Sequence, residues 1–155
     1  MMQLSDILSR ESIVPALKAG SKKQILQELS QVAAAQSGLS PREVFEVLLQ
    51  RERLGSTGLG QGIAIPHGKF SALDAVQGVF ARLAQPVGFD AVDGNPVDLV
   101  FLLLAPESAG ADHLKALARV SRLLREPEVV KKLRGSGSAA ALYSILTEPA
   151  ASHAA

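Results

Sequence analysis

Arg51 and Arg53 are followed by Ser56 and Thr57, by glycines at 55, 58, 60 and 62, and then by His67, held between Pro66 and Gly68. A neutral imidazole can attack an activated phosphorus in line, and a guanidinium is the side chain best shaped to hold phosphoryl oxygens in pairs. A cation beside the ring also disfavours imidazolium, which keeps a nucleophilic nitrogen free at neutral pH. In that arrangement His67 is the nucleophile. Arg51 and the hydroxyls of Ser56 and Thr57 neutralise charge on the phosphoryl oxygens, and a second histidine, His113, orients the transferred group. Each residue also has a plainer reading: helix-end charges for the arginines, turn formers for the glycines, an ordinary loop imidazole for His67.

Competing chemistries find little support. Gly58, Gly60 and Gly62 are spaced G-x-G-x-G, and no Gly-Lys-Ser/Thr follows, so neither a dinucleotide fingerprint nor a nucleotide P-loop is present. A catalytic zinc site needs three protein ligands, whereas this chain has no cysteine, three histidines (67, 113 and 153) and no H-E-x-x-H spacing. The G-x-S-x-G of a serine hydrolase is absent, and Gly135-Ser136-Gly137-Ser138 reads as a linker. Glu126 and Glu128 read as solvated helix-end charges.

Sixteen Lys plus Arg against fifteen Asp plus Glu give a formal charge of +1, so no overall field draws the chain to nucleic acid or an anionic membrane. The absence of cysteine agrees with a reducing compartment, the first residues carry no secretory pattern, and the apolar run 99–105 is far short of the ~20 residues of a membrane helix. A cytoplasmic protein without membrane insertion is expected.

The elements that must position the histidines follow from periodicity. Ile13 to Leu17 reads as a short first strand. Ser21 with Gln24 makes a capping box before a helix reaching Gly38, and Ser40-Pro41 with Glu43 opens a second helix that ends at Gly55 with Arg51 and Arg53 in its last turn. Ile63 to Ile65 reads as a short strand ended by Pro66, with His67 in the turn beyond it, and Ala75 to Leu83 as a further strand. Val97 to Ala105 is nearly continuously apolar, as a strand covered on both faces must be. Helices follow: one capped by Asp112, with His113 in its first turn, a short one from Pro127, and a last one over Ala139 to Leu146. The expected architecture is α/β, in three layers with helices on each side of a central sheet. One domain over 1–148 and a frayed tail over 149–155 complete the expectation.

The run from Arg51 to Lys69, together with Phe89-Asp90-Ala91-Val92-Asp93-Gly94-Asn95-Pro96-Val97-Asp98-Leu99, Leu103-Leu104-Ala105-Pro106 and His113-Leu114, resembles enzyme IIA of the fructose/mannitol class of the bacterial phosphoenolpyruvate-dependent phosphotransferase system, most of all its nitrogen-related member. The resemblance implies a mixed sheet between helices, His67 phosphorylated through its Nε2, Arg51 supporting the phosphoryl group and His113 as a second site histidine. For Ser56, Thr57 and Arg53 a phosphoryl-stabilising role is the weaker inference. It further implies a histidine-bearing phosphocarrier protein as donor, regulatory targets as partners, and no metal or organic cofactor. Two alternatives stay open: a sugar-specific enzyme IIA that passes the phosphoryl group to a IIB partner, and a non-catalytic regulatory binding module of the same fold.

Overall fold

The computed structural model describes residues 3–148; the expected tail, with His153, lies outside the described residues. The apolar run forms β6 (Val97–Pro106), and residues 99–105 of it are fully buried. Alternation along β6 divides the core. Leu99, Phe101, Leu103 and Ala105 face one way, and Val100, Leu102 and Leu104 the other. Each face needs a helical cover, because a strand this apolar has no side it can leave to water.

The cover on one face is α1 (Lys22–Ser37) and α2 (Pro41–Leu54), whose Ile25, Leu26, Leu29, Val44 and Leu48 are completely buried. On the other lie α3 (Ala111–Leu123), α4 (Pro127–Arg134) and α5 (Ala139–Thr147), contributing Ala116, Val120, Leu133 and Leu142. The sheet between them is mixed. β1 (Ile13–Leu17) runs parallel to β5 (Gln77–Val87), β5 antiparallel to β6, and β6 parallel to β3 (Ile63–Ala64), which pairs antiparallel with β2 (Gly58–Gly60). β4 (His67–Phe70) continues along the same edge of β6 as β3, in parallel register. The three-layer α/β/α architecture is therefore as the sequence predicts. No helix among the described residues is long and apolar enough to cross a membrane.

The helix starts are made as predicted, with differences of detail. Ser21 accepts from the Gln24 amide, but the Gln24 side chain reaches the amide of Gly20 at 2.7 Å, one residue before the cap. Ser40 accepts from the Glu43 amide, with Pro41 at the first helical position. The cap of α3 is Gly110, at φ 37°, and Asp112 sits inside the first turn, where a carboxylate still suits the dipole. Two further departures concern the site. The glycine stretch forms a two-stranded hairpin, and His67 is the first residue of a strand, because β6 offers a parallel edge that captures the chain on both sides of Pro66.

Candidate active site

The site is built where β4 meets both helical layers. Within β4, Gly68 and Phe70 turn toward α2, and His67 turns to the other face, toward α3. A Cβ at Gly68 would lie 2.7 Å from Cγ1 of Val47, so only glycine lets α2 approach this strand so closely. Arg51 is one turn beyond Val47 on α2 and is carried by that approach to the end of the strand. Its Nε donates to Nε2 of His67 at 3.3 Å, and its Nη1 donates to the Gly55 carbonyl at 2.9 Å. From the opposite layer, His113 brings its ring to 5.6 Å from that of His67, edge to face.

His67 is half-buried, and its tautomer follows from its partners. Nδ1 lies 3.0 Å from the Ile65 carbonyl, which can only accept, so Nδ1 carries the hydrogen. Nε2 is then the acceptor for Arg51 and holds the free electron pair. Burial is the main cause that lowers the pKa of His67 below the usual histidine value; the hydrogen bond to the Ile65 carbonyl opposes it, the Arg51 guanidinium adds to the lowering, and Glu52 opposes it least. His113, 6% exposed, is likewise lowered by burial and by the neighbouring His67 and Lys69. Its Nε2 is buried and has no hydrogen-bond partner among the described residues. The arrangement thus supplies an unprotonated ring nitrogen under a guanidinium, with a second imidazole beside it.

Of the sequence-predicted site residues, the structure brings Arg51, His67 and His113 together. Ser56, Thr57 and Arg53 form no hydrogen bond to His67. The Ser56 hydroxyl donates to the Phe89 carbonyl at 2.8 Å, and the Thr57 hydroxyl donates to Glu52. Arg53 is exposed at the end of α2. Both hydroxyls frame the loop instead of facing a phosphoryl group. The loop 88–96 completes that frame. Gly58 packs on Ala91 so closely that a Cβ would come within 2.8 Å of it, and Asp93, held ionised by the amides of Gln61 and Asn95, accepts from Gln61 at 2.8 Å.

Sequence reasoning missed Glu52 and Lys22. Glu52 is buried in the last turn of α2, a position where the helix dipole opposes a carboxylate, and that mismatch between two arginines was the available signal. Pockets lined by Leu4, Arg119 and Leu123, and by Gln61, Arg125 and Lys131, do not include His67. His67 begins β4, which among the described residues pairs with β6 alone.

Residues 6–148 match the family described as "Phosphoenolpyruvate-dependent sugar phosphotransferase system, EIIA 2". A protein of Bradyrhizobium diazoefficiens named nitrogen regulatory protein is 59% identical over 153 residues, covering 99% of this chain and 100% of the relative. One of the same name from Escherichia coli is 45% identical over 149 residues, 95% of this chain and 91% of that protein. The crystal structure of nitrogen regulatory protein IIA-Ntr from Neisseria meningitidis superposes with a TM-score of 0.89 at 42% identity, covering 93% of this chain and 99% of that one. With the family match running through β6 and both histidine-bearing segments, the chain belongs to the enzyme IIA type 2 family of the phosphoenolpyruvate-dependent phosphotransferase system.

Proposed function

We propose that His67 accepts a phosphoryl group from a histidine-bearing phosphocarrier protein, and that the phosphorylation state of His67 then governs binding to regulatory target proteins. The observation that carries this reading is the pair of opposed hydrogen bonds on one ring, Nδ1–H to the Ile65 carbonyl and Arg51 Nε–H to Nε2. As the donor docks, the Arg51 Nε–H passes from Nε2 to a phosphoryl oxygen, and the Nε2 electron pair so freed attacks phosphorus while the donor's P–N bond breaks, that bond's electrons staying on the donor nitrogen. The ring of His67 keeps its Nδ1 hydrogen throughout. Positive charge that develops on the ring is met by the Ile65 carbonyl, and negative charge on the phosphoryl oxygens by the Arg51 guanidinium. The uncommitted Nε2 of His113 is available to the same oxygens, in the tautomer that donates.

A regulator is favoured over a sugar-specific relay component because relatives named nitrogen regulatory protein are 59% and 45% identical to this chain, against 33% and 36% for two relatives named fructose-specific. Incubation with phosphoenolpyruvate, the first enzyme of the relay and the phosphocarrier is expected to add the mass of one acid-labile phosphate. His67→Ala is expected to take none, and Arg51→Ala to be labelled slowly while staying folded. An unlabelled wild type, or a fully labelled His67→Ala, sinks the reading. Target capture that is the same for the phosphorylated protein and for His67→Ala removes the regulatory half.

A further inference from the structure

One buried charged cluster lies outside the three side chains of that site. The side chain of Glu52 is 2% exposed, and Lys22, in the first turn of α1, places Nζ 2.7 Å from Oε2. The Thr57 amide lies 3.1 Å from each carboxylate oxygen, and the Thr57 hydroxyl donates to the same group. Lys22 also sits 4.8 Å over the Phe89 ring and 3.7 Å from Asp90. Three segments, the start of α1, the end of α2 and the loop 88–96, therefore converge on one ion pair. The cluster is linked to the histidine by a short chain of bonds. The Gly55 amide donates to the Glu52 carbonyl, the Gly55 carbonyl accepts from Arg51, and Arg51 donates to His67.

We infer that Lys22 and Glu52 are positioning residues for phosphoryl transfer: Glu52 anchors the turn that aims Arg51, and Lys22 cancels the carboxylate's charge beside a nitrogen that must carry a phosphoryl dianion. The inference rests on the reading of His67 as acceptor. A carboxylate that braces the turn at both an amide and a hydroxyl does so best when ionised, yet an ionised and unbalanced carboxylate near His67 repels the incoming group through a poorly screened interior. The charged and titratable groups around His67 are Arg51 and Glu52 on α2, His113 on α3 and Lys69 on its own strand. With Lys22 the α1–α2 side of the site is net positive. Without it, Arg51 and Glu52 cancel. Lys22, half-buried where the next cation on α1, Lys23, is exposed, thus decides whether that side attracts the phosphoryl group.

The alternative is that the pair only fastens α1 to α2, and a charge-restoring double variant separates the two. Lys22→Met, Glu52→Gln and the double Lys22→Met/Glu52→Gln are compared with wild type in labelling rate through the relay proteins and in the imidazole NMR titration of His67. Lys22→Met is expected to slow labelling on the order of tenfold and to raise the His67 midpoint, because the carboxylate is no longer balanced. In the double variant the side-chain carbonyl oxygen introduced by Glu52→Gln still accepts from Thr57 without charge, so the rate returns to within about threefold of wild type, and the midpoint falls back. A double variant as slow as Lys22→Met, or a Lys22→Met with wild-type rate and midpoint, overturns the inference. If Lys22→Met does not fold, Glu52→Gln decides alone: its His67 midpoint is expected to fall, and an unmoved one overturns the inference. An unlabelled wild type is the separate failure of the acceptor reading.

Discussion

Gly68→Ala isolates the close approach of α2 to β4 from every other feature of the site. The backbone of Gly68 is that of an ordinary strand residue, so alanine meets no φ barrier, and the whole effect is steric. The new Cβ would lie 2.7 Å from Cγ1 of Val47, against about 3.5 to 4.0 Å for carbon atoms at rest. Val47 cannot simply turn aside, because a β-branched residue in a helix has one strongly preferred χ1. The helix must therefore move by roughly 1 Å, at a cost of about 1–3 kcal/mol. Arg51 sits one turn further along the same face, and its bond to His67 is already 3.3 Å long. A shift of that size breaks the bond, and misplacing a group by about 1 Å at a reacting centre costs on the order of 10²-fold in rate. A chain of this length loses roughly 2–4 °C in Tm per kcal/mol, so a fall of about 2–12 °C is expected together with the slower labelling. Adding Val47→Ala removes the opposing methyl groups and is expected to recover most of the rate. If Gly68→Ala is labelled at the wild-type rate, or if Val47→Ala fails to rescue it, the claim that this contact aims Arg51 is refuted.

Two further perturbations test other parts of the site. His67 and His113 both have lowered pKa values, so between the folded and unfolded values the unfolded chain binds more protons and stability rises with pH. The urea midpoint should therefore fall as pH drops below about 6.5 and flatten once both rings are protonated; a double glutamine variant at 67 and 113 that keeps the full wild-type slope would remove the histidines as its cause. Leu54 and Val92 are each 85% exposed, Leu54 beside the Arg51–Gly55 turn and Val92 on the loop that braces Gly58, which suits them to meet a protein donor. Replacing either by aspartate is expected to raise KM for the phosphocarrier about tenfold, and an effect confined to kcat would contradict that role.

How much of this was legible depended on whether a residue's partners were near in sequence. The doubly buried β6 and the Ser21 and Ser40 caps could be read from local pattern, whereas Arg51, His67 and His113, distant in sequence, were reached from their chemistry and the family resemblance. β4 could not be read locally. His67-Gly68-Lys69-Phe70 shows no apolar alternation and becomes a strand only because Leu103 to Pro106 offer a pairing edge. The hairpin of Gly58–Gly60 is equally context-made, since its glycines are explained by Ala91 and Asp93 pressing on them from the loop 88–96. Ser56 and Thr57 carry hydroxyls of the right chemistry for a phosphate, but the side chains they meet, Phe89 and Glu52, were invisible to spacing.

The break at Pro66 explains why His67 sits where it does. Carbonyls along an extended chain alternate in direction, so only every second one from Ile63 to Phe70 can face β6. β3 and β4 each pair with β6, the Pro66 carbonyl accepts from the Leu103 amide at 2.9 Å, and between the two strands the carbonyl of Ile65, whose own amide donates to Thr57, meets Nδ1 of His67. Proline needs no donor partner of its own, so it can occupy the gap without leaving a buried N–H unsatisfied. The ring is thereby fixed from behind by backbone, and its other nitrogen is presented to Arg51 from one helical layer and to His113 from the other. Because a buried sheet edge and two packed helices set these positions, the proposed transfer to His67 would leave little reorganisation for the moment of reaction.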